Sequence, residues 1–254
     1  MPAPQLIIFD CDGVLIDSEV IACRADAACL AEIGIAITSD EVMDRYVGLS
    51  ATAMLADLEQ RHGRRLPAGF ANTLNARIIA AFETELVAMV GMARTLDALT
   101  CRLCVASSSE PDRLRHSLAL VDLLRYFDPH LFSATQVARG KPAPDLFLFA
   151  ARQMGAEPHA CVVVEDSVAG VEAAVAAGMR AYGFTGGRHC RADHSDRLRA
   201  AGACVVFDDM LSLPTSLQRP AASAAAAADR GPHSRPNVHV TAGADWRLSD
   251  DIQL

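Results

Sequence analysis

Short, nearly continuous runs of apolar residues alternate along the chain with segments in which apolar residues recur every three or four positions. Continuous apolar runs are typical of strands covered on both faces, and the longer spacing is typical of amphipathic helices. Six strands are predicted: Leu6–Cys11, Arg102–Ser107, Leu131–Ser133, Cys161–Glu165, Arg180–Phe184 and Cys204–Phe207. Because strands and helices alternate over most of the length, we expect an α/β fold with a doubly wound parallel sheet.

The alternation is interrupted between the first two predicted strands, where residues 18–86 carry only helical signals. Four helices are predicted there, over residues 18–33, 39–46, 50–61 and 68–86. Thr38 and Glu41 have the spacing of a capping box at the start of the second of these helices. Four short consecutive helices are typical of a small bundle. We therefore expect a helical cap domain of residues 15–92, inserted into a core of residues 1–14 and 93–218. Residues 219–254 are predicted to be an Ala-rich, weakly structured tail.

Composition and charge exclude several classes of protein. Of the 254 residues, 51% are hydrophobic, which is enough to fill a core. The chain has 23 Lys and Arg against 31 Asp and Glu, a net charge of −8. This balance argues against a nucleic-acid partner, because binding to a phosphate backbone needs an excess of basic residues. No apolar run approaches the roughly 18 residues of a membrane span, so no membrane partner is expected either.

The eight cysteines do not indicate a disulfide framework. The chain starts without a charged and apolar leader, and no second pair at zinc spacing follows the CxxC of Cys101 and Cys104. We interpret the cysteines as buried thiols, with redox or metal use of the CxxC as the alternative. A reducing compartment, hence the cytoplasm, is predicted. We expect a monomer or a weak homodimer.

Two aspartates follow the first predicted strand, in the segment Phe9-Asp10-Cys11-Asp12-Gly13. In parallel α/β sheets, ligands bind at the carboxyl ends of the strands, so these carboxylates stand where chemistry occurs. One carboxylate of such a pair can attack or bind a cation while the other moves protons. The alternative is that Asp10 and Asp12 serve only as turn and capping residues.

Three further polar segments follow other predicted strands. Ser107-Ser108-Ser109 offers hydroxyl and amide donors suited to an anion such as phosphate, although Ser108 or Ser109 could simply cap the next helix. Lys141 lies in a proline-stiffened loop, where it could offset phosphate or carboxylate charge or be an ordinary surface lysine. Glu165-Asp166 ends another buried strand, and carboxylate oxygens there suit Mg²⁺.

In order and spacing, these four segments resemble the four signature motifs of the haloacid dehalogenase superfamily. Over residues 5–210 the chain resembles members with a helical cap. DCDGVLIDSE, GKPAPD and VVVEDSVAGVEAA resemble most the branch of 6-phosphogluconate phosphatases and β-phosphoglucomutases. The resemblance implies a Rossmann-like catalytic core that acts on a small phosphorylated metabolite. The second aspartate, Asp12, argues against the dehalogenases that give the superfamily its name.

The resemblance also implies a role for each motif residue. Asp10 would be the nucleophile that forms an aspartyl phosphate, and Asp12 the general acid and base. Ser107 and Ser108 would bind the phosphoryl group, and Lys141 would steady its charge together with that of Asp10.

The resemblance implies Mg²⁺ as the cofactor as well. Asp166, with Glu165 assisting, would hold the ion together with the Asp10 carboxylate and the backbone carbonyl of Asp12.

Three positions in the predicted cap favour hydrolysis over phosphomutase activity. In β-phosphoglucomutase-like sequences a histidine stands where this chain has Ala22, and the basic residues of a KGxxR-like stretch stand at Val47 and Ala51. A mutase must bind a bisphosphate, and the loss of both cations removes the obvious second phosphate site. We therefore expect a phosphatase for a sugar or polyol phosphate, with Arg24 and Arg45 as nearby cations that could compensate. A mutase is the alternative, and a non-catalytic sensor of a phosphometabolite is a weaker one.

Overall fold

The computed structural model of the protein describes residues 3–218. Six parallel strands form one sheet in the order β3-β2-β1-β4-β5-β6. Their bounds are Leu6–Phe9 (β1), Arg102–Ser107 (β2), Leu131–Ser133 (β3), Cys161–Glu165 (β4), Arg180–Phe184 (β5) and Val205–Phe207 (β6). The predicted α/β fold with a doubly wound parallel sheet is confirmed. The order reverses direction next to β1, so the chain has its topological switch point there.

Two strand ends differ from the prediction. β1 ends at Phe9 instead of Cys11, because the chain turns back immediately afterwards and the Leu15 amide donates to the Cys11 carbonyl at 2.9 Å. The Asp10 amide still donates to Val164 at 3.0 Å, which keeps Asp10 at the sheet edge. β6 begins at Val205, one residue later than predicted.

Ten α-helices accompany the sheet within the described residues. They are Glu19–Glu32 (α1), Ser39–Tyr46 (α2), Ala51–His62 (α3), Phe70–Glu85 (α4), Met92–Ala98 (α5), Pro111–Leu120 (α6), Asp145–Gln153 (α7), Val168–Ala176 (α8), His194–Ala200 (α9) and Leu213–Gln218 (α10). Helices α5, α6 and α10 pack on one face of the sheet, and α7, α8 and α9 pack on the other. The short helices α5, α9 and α10 were not predicted from the sequence, because each spans no more than two turns and carries little periodicity.

The four helices predicted between β1 and β2 are present as α1 to α4, each within two residues of its predicted ends. Thr38 and Glu41 form the predicted capping box. A separate apolar cluster holds these helices together, including Leu30, Val42 and Leu74. Residues 15–17 run beside residues 87–89, so the chain leaves and re-enters the sheet region through neighbouring segments. The predicted domain boundaries stay a prediction, and the predicted tail lies outside the described residues.

All eight cysteines are unpaired; five of them are buried, two are partly buried and one is exposed. Cys104 lies on β2 in the apolar cluster under α7, in agreement with its interpretation as a buried thiol. Between residues 3 and 218, no helix combines the length and the apolar character needed to cross a membrane.

Candidate active site

The register of the central strands brings the sequence motifs to one edge of the sheet. Phe9 on β1 pairs with Val105 on β2 and with Val164 on β4. The residues that follow or end these three strands therefore meet, and they include Asp10, Ser107 and Glu165. The sequence could predict this convergence because strand ends in a parallel sheet share one edge.

Lys141 connects two of the predicted acids. Its ammonium donates to Asp10 Oδ1 at 2.7 Å and to Glu165 Oε1 at 2.5 Å. Lys141 is only 6% exposed, Asp10 5% and Glu165 0%, so the surface-lysine alternative is wrong. Burial by itself would lower the pKa of Lys141, but the two carboxylates raise it above its ordinary value. The lysine is therefore a buried cation held between two acids.

Glu165 is fixed on its second oxygen as well. Its Oε2 accepts from the backbone amide of Ser167 at 3.0 Å and from the Ser167 hydroxyl at 2.9 Å. The Ser167 hydroxyl in turn accepts from the Gly170 amide and caps α8. A Cβ at Gly170 would lie 1.9 Å from the Glu165 carboxylate, so the glycine makes room for this acid. Because Lys141 and Ser167 occupy both of its oxygens, Glu165 is placed to position Lys141.

Asp12 belongs to a different hydrogen-bond network from Asp10. Ser18 donates to Asp12 Oδ1 at 2.7 Å, and Ser109 donates to Asp12 Oδ2 at 2.6 Å. Arg113 on α6 donates to the same Ser109 hydroxyl at 2.6 Å. Helix α6 has no side-chain cap, so the alternative role of Ser109 as a capping residue is wrong. Asp12 is instead held in place by two hydroxyl groups.

Three carboxylates could together hold a divalent cation. One oxygen from each of Asp10, Glu165 and Asp166 lies within 4.8 Å of the others, and all three residues are buried. The donors are all oxygen, the set that Mg²⁺ and similar hard cations prefer. Asp166 Oδ2 is buried and makes no hydrogen bond within the described residues. An acid set of this kind, with one buried oxygen that makes no hydrogen bond and lies 2.9 Å from His189 Nε2, fits a divalent cation. Burial raises the pKa values of Asp10 and Asp166 well above their ordinary range.

The loop after β1 passes close to this cluster at Gly13. Its φ angle is +78°, in the left-handed region, and a Cβ there would lie 1.9 Å from Asp166 Oδ2. Both the backbone conformation and the lack of space require glycine at this position.

A cavity of about 530 Å³ lies between the sheet edge and the inserted helices. Asp10, Asp12, Ser107 and Ser108 line it on the sheet side. The Ser107 hydroxyl accepts from the Ser109 amide at 3.0 Å, which leaves its own proton free for a ligand. On the helical side the lining includes Ala22 and residues 46–52, where Ser108 also donates to the Gly48 carbonyl at 3.2 Å.

Three polar side chains in this cavity were not predicted from the sequence. Asp26 on α1, Asn75 on α4 and Arg113 on α6 all line it. Each has one buried polar atom without a hydrogen-bond partner among the described residues: Asp26 Oδ1, Asn75 Oδ1 and Arg113 Nε. Burial raises the pKa of Asp26 to about 6, although Arg113 opposes this shift. No sequence signal marks these residues, because they meet only when α1, α4 and α6 are packed together.

The two cap cations considered from the sequence do not line this cavity. Arg24 pairs with Glu85 at 2.6 Å, with its side chain 56% exposed. Arg45 lies 3.7 Å from Glu41 and faces a smaller neighbouring cavity.

A buried lysine between carboxylates, next to a hydroxyl-lined cavity at the switch point of a parallel sheet, defines a phosphate-handling hydrolase of the α/β class. The family model described as haloacid dehalogenase-like hydrolase matches residues 4–178. The chain belongs to the haloacid dehalogenase-like hydrolases, as the sequence motifs predicted.

Individual relatives agree with this assignment. The chain is 34% identical over 186 residues to the 6-phosphogluconate phosphatase of Escherichia coli, which covers 73% of this chain and 84% of the relative. It is also 34% identical over 191 residues to hexitol phosphatase B of the same organism, which covers 71% and 84%. A haloacid dehalogenase-like protein of unknown function from Agrobacterium tumefaciens has a TM-score of 0.72 and 40% identity, which covers 84% of this chain and 97% of that one.

Proposed function

We propose that the protein is a phosphatase that hydrolyses a small sugar or polyol phosphate through an aspartyl-phosphate intermediate. The observation that carries this proposal is the position of Asp10, paired to Lys141 and facing the same cavity as Asp12 and Ser107. Phosphoryl transfer is accelerated mainly by positioning and by neutralisation of charge, and these groups supply both.

In the proposed reaction, Asp10 attacks phosphorus and displaces the ester oxygen, while Asp12 gives that oxygen a proton. Asp12 then takes a proton from water, whose oxygen attacks phosphorus and releases Asp10 and inorganic phosphate. Ser18 and Ser109 orient Asp12 for both proton transfers. The Ser107 hydroxyl and the Ser108 backbone amide would donate to the phosphoryl oxygens, and Lys141 would balance their charge together with that of Asp10.

A divalent cation, which we propose to be Mg²⁺, would be held by Asp10, Asp166 and the backbone carbonyl of Asp12. It would neutralise phosphoryl charge that the protein cations do not. Glu165 would act through its contacts to Lys141 and Ser167. The acid-only set of side chains, and an Asp166 oxygen that makes no hydrogen bond among the described residues, support this assignment.

The lining of the cavity favours a polyhydroxylated substrate. Oxygens of Asp26 and Asn75 without partners can accept hydrogen bonds from hydroxyl groups, and buried acceptors of this kind are costly when unpaired. Val47 and Ala51 line the same cavity, so the basic pair that would hold a second phosphate is replaced by apolar groups. These contacts favour a monophosphate over the bisphosphate of a mutase. The 6-phosphogluconate and hexitol phosphatases among the relatives are consistent with this substrate class.

Phosphate release from p-nitrophenyl phosphate, with and without Mg²⁺, tests the proposal most directly. Asp10→Asn should remove Mg²⁺-dependent turnover, whereas Asp122→Asn, at a residue that does not line the cavity, should keep it. Turnover by Asp10→Asn would refute the nucleophile assignment.

A panel of sugar, polyol, nucleotide and amino-acid phosphates then identifies the substrate. Efficient isomerisation of β-glucose 1-phosphate in the presence of glucose 1,6-bisphosphate would instead establish a mutase, and Mg²⁺ binding without turnover of any phosphate would establish a sensor.

A further inference from the structure

A second cluster of metal-binding side chains lies directly behind Asp166. It consists of His189, Cys190 and His194, the last at the start of α9. One ligand atom from each of the three lies within 4.8 Å of the others. Both histidines are buried, His189 5% exposed and His194 7%. This cluster supplies nitrogen and sulfur donors, whereas the acid cluster at the active site supplies oxygen.

The cluster is joined to the active site through Asp166. His189 Nε2 lies 2.9 Å from Asp166 Oδ2, and His194 Nε2 donates to the Asp166 backbone carbonyl at 2.5 Å. Cys190 Sγ lies 3.4 Å from the same His189 Nε2. The Asp166 carboxylate and the Cys190 thiol therefore both lie against His189 Nε2, and His194 contacts the backbone of the same Asp166.

Hydrogen bonds alone do not satisfy this arrangement. The Cys190 thiol can donate to His189 Nε2 only if that nitrogen carries no proton, whereas an ionised Asp166 needs a proton on it. The 2.9 Å contact also lacks hydrogen-bond geometry. Asp166 Oδ2 and His189 Nδ1 are both buried without a hydrogen-bond partner among residues 3–218. Buried polar atoms left unpaired are costly, so the arrangement calls for a further group.

We propose that His189, Cys190 and His194, with an oxygen of Asp166, form a binding site for a divalent transition metal such as Zn²⁺. Zinc takes four ligands in tetrahedral arrangement at about 2.0–2.3 Å, so its ligand atoms lie about 3.3–3.7 Å apart. The 3.4 Å and 2.9 Å separations at His189 are close to this spacing. On binding, the metal forms a bond to Cys190 Sγ, and the thiol proton passes to solvent. Nitrogen and sulfur donors select such a metal over Mg²⁺.

The site has a route to solvent and a connection to catalysis. A cavity of about 210 Å³ is lined by His189 and His194 and lies against Ser167 and the 43–49 segment. Because Asp166 is shared, a metal bound here draws that carboxylate away from the acid cluster. If the proposed phosphatase function holds, the transition metal acts as an inhibitor that competes with Mg²⁺ for Asp166.

Cobalt spectroscopy tests the site independently of activity. The full-length protein is reduced, stripped with chelator, held in excess Mg²⁺ and titrated with Co²⁺. One equivalent should produce a thiolate-to-cobalt charge-transfer band and strong visible bands of a tetrahedral ion, and Zn²⁺ should bleach both. Cys190→Ser should lose the charge-transfer band, and the exposed-thiol control Cys204→Ser should keep it. His194→Gln should weaken Co²⁺ binding about tenfold or more.

Two results would overturn the proposal: weak octahedral bands alone, or a charge-transfer band that persists in Cys190→Ser. Circular dichroism and the thermal midpoint show which variants are folded, and Cys190→Ala replaces Cys190→Ser if the latter is not.

As a second arm, Zn²⁺ should inhibit phosphate release by the wild type at saturating Mg²⁺. Cys190→Ser should raise the half-inhibitory Zn²⁺ concentration about tenfold. The cobalt arm still decides the site if the protein releases no phosphate, so the two proposals fail separately.

Discussion

The Lys141 ammonium donates to the Asp10 carboxylate at 2.7 Å although both side chains are almost completely buried. A charge taken out of water is stabilised only by a close partner, and here one cation serves Asp10 and Glu165 together. Removal of the cation would therefore leave two buried acids without compensation, which affects folding as well as the proposed chemistry.

Lys141→Met should lower the free energy of unfolding by about 3–5 kcal/mol at pH 8, since it leaves buried acids without their cation. Burial already raises the pKa of Asp10, and removal of the ammonium raises it further. The variant then loses stability relative to the wild type as pH rises through the raised pKa of wild-type Asp10, so we expect a larger loss at pH 8 than at pH 5. Urea unfolding at both pH values measures this difference.

Arg139→Met is the matched control, because Arg139 stands two residues earlier and pairs with Asp145 while 70% exposed. An exposed ion pair is worth no more than about 1 kcal/mol, so the control should unfold nearly as the wild type does. An equal loss in both variants, or a Lys141→Met loss independent of pH, would contradict the role given to the buried pair.

The buried carboxyl group of Asp26 lowers the stability of the folded protein, so its replacement should raise the free energy of unfolding. Burial raises its pKa from 3.8 to about 6, so the folded chain keeps this proton where the unfolded chain has lost it. The cost is absent below pH 3.8, increases between the two values and is complete above pH 6. Asp26→Asn should therefore stabilise the protein by up to about 3 kcal/mol at pH 8 and by less at pH 5.

The same variant should bind sugar or polyol phosphates more weakly, with a higher KM, while p-nitrophenyl phosphate is affected less. Stability gained at the expense of binding is typical of a residue retained for function. Chemical unfolding and steady-state kinetics of one preparation measure both effects. An unchanged KM for every hydroxylated substrate would exclude Asp26 from substrate recognition.

Gly13 and Gly34 form a matched pair for the acid cluster. Their φ angles are +78° and +77°, but a Cβ at Gly13 would meet Asp166 Oδ2 at 1.9 Å, whereas nothing lies within 4 Å at Gly34. Gly34→Ala should cost about 1–2 kcal/mol of stability from backbone strain alone. Gly13→Ala should add a displaced Asp166 to that cost.

Because of this displacement, the Mg²⁺ concentration that gives half-maximal phosphate release should rise about tenfold or more in Gly13→Ala. In Gly34→Ala it should stay unchanged. Mg²⁺-dependent thermal stabilisation gives a second readout without turnover. Equal Mg²⁺ dependence in the two variants would show that Gly13 acts only through its backbone conformation.

The sequence allowed the sheet edge to be predicted, because each motif there follows a strand and parallel strands end together. Asp10, Ser107 and Lys141 all lie where that reasoning places them. Side chains brought in by helix packing could not be predicted in this way. Asp26 and Arg113 are 87 residues apart, and their proximity depends on how α1 and α6 both pack against α4, which no local pattern encodes.

A comparison of variants at Arg113 and Arg24 distinguishes recognition inside the cavity from a general effect of positive charge. Arg113 lines the cavity, donates to Ser109 and has a buried Nε without a partner among the described residues, whereas Arg24 is exposed and paired to Glu85. Arg113→Leu should raise the KM for sugar or polyol phosphates about tenfold, since it removes a charged donor from the cavity.

Because Arg113 lowers the pKa of Asp26, the same variant should raise that pKa and move any inflection of KM to higher pH. Arg24→Leu should change neither quantity. Steady-state kinetics from pH 5 to pH 8 measure both variants, and equal effects of the two substitutions would contradict a specific role for Arg113.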